Sequence, residues 1–439
     1  MEQFRLPAIS MPKLPLPQAV QEVLNEAEEK LAHRPKLLQL FKNCFPNTLE
    51  TTTKLMDDGT TFVITGDIPA SWLRDSVEQV MHYVPFAKND PDLQRIIGGL
   101  IKRHIEYIHI DPYANAFNES ANDWHWSTSD ITEMSPWVWE RKFEIDSLCF
   151  SMRLAYAYWK ETGKADIFDA GFKAAMFKIF NLFKTEQRHS ELSPYRFTRN
   201  NGIPEDTLRN NGLGMPVNYT GMVWSGFRSS DDACDFHYNI PGNMFAVVAL
   251  RHMQEFAEWV FRDLEFLEQL KALEAEIDHG IQLYGIYRHP KFGPIYAYET
   301  DGYGNYCLMD DAGTPGLLSI PYLGYVTAED EIYQNTRRFA LSKENPFYFE
   351  GTAAKGIGSP HTPKDYIWHM ALSMQGLTAS TKEEKLEMLE MLEATDADTG
   401  FMHEGFHVDD PNTFTRKWFA WSNSLFSQLV YKTMKEGLL

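Results

Sequence analysis

Hydrophobic residues recur along most of this chain at the spacing of amphipathic helices. In the segment DPDLQRIIGGLIKRHIEYIHI, residues 90–110, the apolar side chains fall on one helical face, Asp90 can cap the helix and Pro91 suits its first turn. Comparable stripes predict helices at residues 18–32, 146–162, 171–187, 243–260, 365–377, 380–392 and 415–434. Within the segment 380–392, Thr381 and Glu384 fit a capping box. The pattern predicts a mainly α fold.

Strand patterns are few and short. The segment around Thr61 predicts one strand, and residues 284–305, which Gly and Pro interrupt repeatedly, predict hairpins. The sequence has no Ser/Gly-rich linker, low-complexity tract or sharp change in charge that would mark a domain boundary. We therefore expect one domain over residues 1–439, in which residues 1–35 form an N-terminal extension and helix.

Six clusters rich in Gly, Trp, Asp, Glu, His and Arg interrupt the helical stretches. They lie at residues 66–75, 113–146, 217–235, 299–316, 351–364 and 400–410. At the usual lengths of helices and connections, the chain holds about twelve helices. These numbers favour a toroid of six helical hairpins, in which every second connection meets at one end around a cleft. An α-solenoid would alternate similarly, but it should show a repeat of fixed period, and we find none.

Composition narrows the choice of partner and compartment. The net charge of -20 argues against nucleic acid, whose binding relies on a basic surface, and favours a neutral ligand. The apolar run MFAVVAL is too short to cross a membrane, and the N-terminus lacks the pattern of a secretory signal. The four cysteines show no C-x-x-C spacing, which is typical of buried, reduced thiols. We expect a cytoplasmic monomer without a membrane partner.

Aromatic residues are concentrated in the predicted connections. They are Trp72, Trp124, Trp126, Trp137, Trp139, Tyr219, Trp224, Tyr303 and Tyr306. Such rings beside acidic and amide side chains suit a sugar, because a pyranose has apolar C–H faces and a fringe of hydroxyl groups. Any single ring is also explained as core packing between helices. Their concentration in connections favours a carbohydrate site.

Two charged stretches have a structural and a functional interpretation. Arg74 and Asp75, which follow Trp72, can form a pair that binds neighbouring hydroxyl groups, or Asp75 can simply cap the next helix. A second run comprises Glu140, Arg141, Lys142, Glu144 and Asp146. A run of this kind is usually the solvated start of a helix, although its aromatic neighbours argue against exposure.

Paired and isolated carboxylates are the candidates for chemistry. The doublets Asp231/Asp232 and Asp310/Asp311 could bind a divalent cation, but neither has the spacing of an EF-hand loop, and we expect no metal. Glu404 stands between His403 and Gly405, where it can act as a base or pair locally. Glycoside hydrolysis requires two carboxyl groups on facing loops, and their separation decides between inversion and retention. Asp231 or Asp232, together with Glu404, is the pair that we favour.

Several strings together resemble one family. ASWLRDS, WERKFEIDSLC, YTGMVWSGFRSSDDA, MDDAGTPGLLSIPYLGY, GIGSPHTP and FMHEGF, within residues 66–426, are similar to glycoside hydrolase family 125, the exo-acting α-1,6-mannosidases. The resemblance implies an (α/α)6 barrel with short β-hairpins in its loops. It also implies a mannose-containing oligosaccharide with a non-reducing terminal α-1,6-linked mannose as substrate, and inversion of configuration without a metal or cofactor.

The same resemblance assigns roles to individual residues. It implies that Asp231 is the general acid and Glu404 the general base. The predicted sugar pocket contains Trp72, Arg74, Asp75, Trp126, Arg228, Ser230, Asp232, Tyr303, Asp310 and His361. The family usually has proline at the position of Ser229 and serine at that of Gly405. Two rival hypotheses are an inverting glucosidase or trehalase on a similar toroid, and a glycan-binding protein without turnover.

Overall fold

The helices form two concentric rings. The computed structural model describes residue 9, residues 11–200 and residues 203–439. The inner ring contains the helices Leu73–Met81, Ile145–Thr162, Ile240–Glu255, Ile320–Leu323, His369–Leu377 and Ala420–Lys435. Each packs against the next, directly or through the 3-10 turn Leu317–Ser319, and the last packs against the first. The outer ring contains Pro35–Cys44, Pro91–Ile110, Ala170–Glu186, Leu264–Tyr284, Glu331–Ala340 and Lys382–Ala394. This is the predicted (α/α)6 toroid, and the solenoid alternative is wrong.

The helices of the two rings differ in the pattern of their buried hydrophobic residues. The inner helix Ile240–Glu255 is buried on nearly every side over its first eleven residues, as expected of a helix that is apolar all round. The outer helix Pro91–Ile110 instead buries the predicted apolar face and exposes the other. Asp90 caps it as predicted, since its side chain accepts hydrogen bonds from the backbone N–H groups of Asp92 and Leu93. Packing rather than propensity therefore decides which ring each helix joins.

Some predicted helix boundaries are wrong. The segment 365–377 begins as the strand Tyr366–Trp368, and the last inner helix starts at Ala420 rather than near residue 415. Both shortened ends belong to connections in which extended backbone pairs with neighbouring chain. Thr381 accepts a hydrogen bond from the backbone of Glu384, but the Glu384 carboxylate pairs with Arg337 at 2.7 Å, so only half of the capping box forms.

Further helical elements lie outside the two rings. They are Gln18–Lys30, Asn47–Thr51, Val84–Phe86, His189–Leu192, Pro204–Asp206, Arg209–Gly212 and the π-helical turn Phe256–Val260. Residues 1–8 and 10 of the predicted N-terminal extension lie outside the described residues. Within the described part of the chain, no helix combines the length and the hydropathy needed to cross a bilayer.

The strands are short and confined to the connections, and those that form sheets pair antiparallel. Two-stranded pairs are Thr53–Leu55 with Thr61–Val63, Asp130–Ile131 with Thr198–Arg199, Ile286–His289 with Gly293–Tyr296, Glu299–Thr300 with Tyr306–Cys307, and Tyr348–Glu350 with Lys355–Ile357. Three-stranded sheets join Ser71–Trp72, Ala116–Phe117 and Val138–Glu140, and join Tyr366–Trp368, Gly405–His407 and Asp410–Phe414. Tyr238–Asn239 is a further short strand. The strand near Thr61 and the hairpins after residue 284 are confirmed.

The six residue clusters singled out in the sequence each precede an inner helix. The cluster 66–75 leads into Leu73–Met81, and the cluster 400–410 belongs to the connection before Ala420–Lys435. The three-stranded sheets tie neighbouring connections together at this end of the ring. The N-termini of the inner helices and the loops before them therefore surround one site.

Candidate active site

A cavity of about 250 Å³ opens among these connections. Eight of the twelve predicted site residues line it: Trp72, Arg74, Asp75, Trp126, Ser230, Asp231, His361 and Glu404. They come from five of the six connections, separated by up to several hundred residues in the chain. The ring closure that brings the last inner helix against the first also brings Glu404 into the same cavity as Trp72 and Asp231.

Arg74 is the central cation of the cavity. Its guanidinium is buried, and its Nη1 lies 2.7 Å from Glu144 Oε2 and 3.0 Å from Asp146 Oδ2. Its Nη2 donates to Asp231 Oδ1 at 3.0 Å, whereas Asp75 is 3.8 Å from Nε. Arg74 therefore hydrogen-bonds three carboxylates, and its ion pair with Asp75 is the longest of its four carboxylate contacts. Burial raises the pKa of Asp75 to about 6, against the opposing charge of Arg74.

The backbone at Asp231 is unusual. Its φ of 67° lies in the left-handed region, which aspartate tolerates better than most residues. The turn is closed by hydrogen bonds from Arg228 N to the Asp232 carbonyl and from Asp231 N to the Arg228 carbonyl. The buried ammonium of Lys142 donates to the Asp231 carbonyl at 2.6 Å. This turn points the Asp231 carboxyl towards Arg74 and the cavity.

Glu404 has a different cation beside it. Arg416 Nη1 lies 3.6 Å from Glu404 Oε1, and Arg416 Nε donates to Asp67 Oδ1 at 3.0 Å. Gly405 follows in a strand, where a Cβ atom would approach Trp368 Cδ1 at 3.2 Å. The two cavity carboxylates of Asp231 and Glu404 thus have separate arginine partners.

Asp232 and His361 form a pair behind Asp231. Asp232 does not line the cavity; its Oδ1 lies 3.0 Å from His361 Nδ1. Although burial opposes it, the hydrogen bond and charge of Asp232 raise the pKa of His361 to about 9. The imidazolium form of His361 therefore faces the cavity at neutral pH. Of the aspartate doublet, only Asp231 reaches the cavity directly.

The structure places Arg228, Tyr303 and Asp310 away from the cavity wall. Arg228 pairs with Glu299 at 2.5 Å and with Asp235 at 3.1 Å. Tyr303 is exposed over 63% of its surface. Asp310 accepts hydrogen bonds from the backbone of Leu317 and Leu318 at the start of a 3-10 turn, and burial raises its pKa to about 7.

The doublet partner Asp311 supports the site indirectly. Its Oδ2 accepts a hydrogen bond from the Ser230 hydroxyl at 2.7 Å, and Ser230 lies in the cavity wall. The neighbouring Ser229, where proline was the expectation, also lines the cavity and donates to the Pro315 carbonyl at 3.1 Å. The 310–315 loop thus fixes the two serines before Asp231.

The charged run after Trp139 is buried, so its interpretation as a solvated helix start is wrong. Its members Glu140, Arg141, Lys142, Glu144 and Asp146 are all at most 6% exposed. Each charge is neutralised by a partner distant in sequence, as when Arg199 binds Glu140 at 2.7 Å. Glu140 and Lys142 line the cavity. The aromatic neighbours of the run were the one sequence signal of this burial.

Further lining residues were missed by sequence reasoning. They are Thr65, Ile68, Asp206, Trp368, Arg416, Phe419 and Trp421. Trp368 and Trp421 were assigned to helices, and only their position at the starts of helices could have indicated a role. Trp72 and Trp421 carry buried indole N–H groups without a hydrogen-bond partner among the described residues.

One group of side chains in the described part of the chain has the spacing of a metal site. Asp235, Glu299 and Cys307 offer ligand atoms within 4.8 Å of one another. Glu299, however, already accepts hydrogen bonds from Arg228 and from the backbone of Asp235 and Phe236. These contacts give the Glu299 carboxylate a structural role outside the cavity.

Comparison with known proteins gives a consistent result. The Schizosaccharomyces pombe protein called meiotically up-regulated gene 157 protein is 38% identical over 433 residues, which cover 94% of this chain and 85% of that protein. A Streptococcus pneumoniae structure, described as a metal-independent α-mannosidase in a non-productive complex with α-1,6-mannobiose, is 47% identical. It has a TM-score of 0.93 and covers 95% of this chain and 98% of its own.

A more distant structure confirms only the fold. It is described as a wild-type glycosidase, is 12% identical, has a TM-score of 0.52 and covers 95% of this chain and 99% of its own. The model of the metal-independent α-mannosidase family matches residues 34–431. Because that match spans most of the sequence, this chain belongs to glycoside hydrolase family 125, the metal-independent α-mannosidases.

Proposed function

We propose that the protein is an exo-acting mannosidase that releases non-reducing terminal α-1,6-linked mannose with inversion, using Asp231 as general acid and Glu404 as general base. The observation that carries the proposal is that both carboxylates line one cavity while each has its own arginine, Arg74 or Arg416. Glycoside hydrolysis needs two carboxyl groups at one site, and the separate arginines hold these two as distinct groups in the same cavity.

The proposed reaction has one chemical step. Asp231 donates a proton to the glycosidic oxygen as the bond from that oxygen to C1 breaks, and the bonding electrons remain on the leaving oxygen. Glu404 removes a proton from a water molecule that attacks C1 from the opposite face. The oxocarbenium-like transition state lies between the two groups, and the first product is β-mannose.

The cavity wall suits recognition of one sugar at a chain end. Its size of about 250 Å³ is below the roughly 300–1,000 Å³ of sites for drug-sized ligands, which favours a compact occupant. Trp72 and Trp421 contribute aromatic rings to the wall, and Asp75 and His361 offer charged partners for hydroxyl groups. Trp126, which is 41% exposed, lies towards solvent and can stack on a sugar beyond the scissile bond.

The choice of linkage rests on the pneumococcal relative. That protein was solved with α-1,6-mannobiose, and its chain matches this one over nearly its whole length. The off-cavity residues of the predicted pocket have supporting roles in this proposal: Asp232 orients His361, and Arg228 and Asp310 stabilise the loops. We propose no binding role for Tyr303.

Time-resolved NMR of α-1,6-mannobiose hydrolysis tests the activity, linkage and stereochemistry together. We expect β-mannose as the first product, and α-mannose would contradict inversion. A panel with α-glucosides and trehalose tests the rival hypotheses of a glucosidase or a trehalase. Release of glucose but not of mannose would support those rivals. Calorimetric binding of mannosides without any product would instead support a glycan-binding protein.

Isosteric variants test the two proposed roles. Asp231→Asn and Glu404→Gln should each reduce turnover about 100-fold or more, since a positioned acid or base contributes about 10²–10⁴. The control is Asp398→Asn, whose side chain is 96% exposed and outside the cavity. Near-wild-type hydrolysis by either cavity variant would remove that residue from the mechanism.

A further inference from the structure

The Glu404 carboxylate has a charged neighbour but no hydrogen bond among the residues that the structure describes. The only cation within ion-pair distance of it in that part of the chain is Arg416, whose Nη1 lies 3.6 Å from Glu404 Oε1. A separation of this size is too long for a hydrogen bond. The Glu404 side chain nevertheless lines the cavity. Both of its oxygens are therefore free to accept a hydrogen bond from water.

Arg416 is held by Asp67 along the other edge of its guanidinium. Arg416 Nε lies 3.0 Å from Asp67 Oδ1 and 3.3 Å from Oδ2, and Nη2 also donates to Oδ1. Nη2 reaches the Thr65 hydroxyl as well, at 3.2 Å. A planar guanidinium can present separate edges to two carboxylates in this way, whereas an ammonium group is a point charge. Asp67 thus accepts the hydrogen bonds of Arg416, and Glu404 receives only the influence of its charge.

The backbone fixes the distance between Glu404 and Arg416. The φ of Arg416 is 43°, in the left-handed region that few residues other than glycine adopt, and such a conformation persists where the surroundings hold it. The Arg416 carbonyl lies 3.3 Å from His403 Nδ1. Thr415 N donates to the Gly405 carbonyl at 2.7 Å, and Gly405 N donates to the Thr415 hydroxyl at 3.0 Å. The residues on both sides of Glu404 are therefore bound to residues 415–416.

Asp67 belongs to the first connection of the ring and Arg416 to the last. Backbone hydrogen bonds join the two connections, from Asp67 N to the Trp418 carbonyl at 3.2 Å and from Ala420 N to the Thr65 carbonyl at 3.1 Å. Thr65 lines the cavity, but Asp67 does not. Asp67 can therefore influence a reaction in the cavity only through Arg416.

The other titratable groups around Glu404 do not replace Arg416. Those that share its cavity or pack behind it include Arg74, Asp75, Asp231, His361, His369 and His403. Arg74 and His361 are bound to carboxylates other than Glu404. Burial lowers the pKa of His403 and lowers that of His369 to about 3, so both are neutral at pH 7. The charge that stabilises an ionised Glu404 at short range is therefore that of Arg416.

We infer that Asp67 is a positioning residue for the base, because it holds Arg416 close enough to keep Glu404 ionised but too far away to occupy its oxygens. A general base must meet both conditions. It must be ionised to accept a proton, and a guanidinium hydrogen-bonded to it would make it a weaker base. Asp67 touches neither the sugar nor the attacking water. This inference rests on the proposed function, in which Glu404 is the base.

The test compares the pH profiles of Asp67→Asn and Arg416→Met on α-1,6-mannobiose. Without the Asp67 charge, Arg416 can hydrogen-bond Glu404 directly. We expect kcat to fall about tenfold and the acidic limb of kcat/KM, which reports the base of the free enzyme, to move to lower pH. Arg416→Met removes the cation, so its acidic limb should move to higher pH by about one unit or more. A purely structural role would not displace the limb in opposite directions.

A second substrate and a matched control narrow the interpretation. Asp67→Asn should slow mannobiose and dinitrophenyl α-mannoside by the same factor, because the base acts on water whichever group leaves. The control is Glu393→Gln, which removes a carboxylate from Arg34, an arginine whose side chain is 21% exposed like that of Arg416. It lies outside the cavity and should leave kcat and the pH profile unchanged. An acidic limb of Asp67→Asn that stays in place, or moves to higher pH, would overturn the inference.

Glu404→Gln distinguishes this outcome from failure of the proposed function. Near-wild-type turnover of Glu404→Gln would remove the base itself. If Glu404→Gln is inactive while Asp67→Asn keeps the wild-type kcat and acidic limb, only the role of Asp67 is refuted. The double variant should be no slower than Glu404→Gln alone, since residues that act as a unit are not additive, and a further loss would count against the inference. Should Asp67→Asn or Arg416→Met not fold, Asp67→Ser and Arg416→Gln remove the same charges and provide the same test.

Discussion

Replacing Arg74 with methionine would remove the cation that neutralises the floor of the cavity. Its guanidinium nitrogens lie 2.7 Å from Glu144, 3.0 Å from Asp146 and 3.0 Å from Asp231, with Asp75 at 3.8 Å. Methionine keeps much of the volume of the side-chain stem. The variant therefore leaves four carboxyl groups, three of them almost fully buried, without their common partner.

The expected loss of stability follows from that geometry. Removal of one partner from a buried ion pair typically destabilises a protein by about 3–5 kcal/mol, because the remaining charge stays buried. At about 2.1 cal/mol/K per residue, a chain of 439 residues has an unfolding entropy of about 0.9 kcal/mol/K. The melting temperature should therefore fall by about 3–5 °C at pH 8.

The loss should shrink at low pH. Arg74 stabilises the ionised forms of its carboxylate neighbours, so its contribution is present where they are ionised and is lost as pH falls through their pKa values. Even beside Arg74, burial raises the pKa of Asp75 to about 6. Without the guanidinium, all four groups should bind protons at higher pH than in the wild type and become neutral. We expect a clearly smaller difference at pH 5 than at pH 8.

Scanning calorimetry of wild type and Arg74→Met at the two pH values measures both effects. The matched control is Arg337→Met, which removes another buried arginine whose carboxylate partner Glu384 is 23% exposed. Its loss should be smaller and should depend less on pH. A deficit for Arg74→Met below about 1 kcal/mol at pH 8, the range of surface ion pairs, would refute the reasoning. A deficit that grows as pH falls would refute it equally.

Two further predictions use pKa shifts away from the arginine cluster. Asp232→Asn should lower the pKa of His361 from about 9 towards or below its ordinary 6.5; NMR titration of the imidazole measures this, and an unchanged midpoint would disprove the pairing. Burial raises the pKa of the Cys307 thiol to about 12 and that of Cys44 beyond its usual range. A thiol reagent at pH 8 should therefore react slowly with the native protein. After denaturation it should label all four cysteines, and rapid labelling of several thiols in the native protein would contradict this.

The ring architecture was predictable because the connections around the cavity have a distinctive local composition. Each connection at the cavity end carries a cluster of glycines, aromatics and charged residues. The connections at the other end were not singled out by such clusters. The clusters 66–75 and 400–410 therefore indicated where inner helices begin, even though they lie at opposite ends of the chain. Most helices could be located from the spacing of their apolar residues, which is also a local feature of the sequence. Boundaries such as the start at Ala420 were missed because Trp418 and Phe419 continue the apolar pattern without helical backbone.

The electrostatic arrangement was not predictable from local sequence. Nothing between residues 140 and 146 shows that Arg74, 70 residues earlier, binds Glu144, or that Arg199 binds Glu140. Whether a charged run is solvated or buried depends on partners that only the fold supplies. Aromatic neighbours raise the odds of burial, but they do not identify the counter-ion.

The two aspartate doublets show how the same local sequence acquires different chemistry. Asp310 accepts three backbone N–H groups, from Asp311, Leu317 and Leu318, so its oxygens hold a turn together and face no cavity. Asp231 accepts no such backbone hydrogen bond; its left-handed backbone instead directs the carboxyl to Arg74. A carboxylate that backbone donors already satisfy has little left to offer a substrate. The distinction between a structural and a proposed catalytic aspartate therefore lies in what occupies its oxygens, which the sequence S-D-D or M-D-D does not contain.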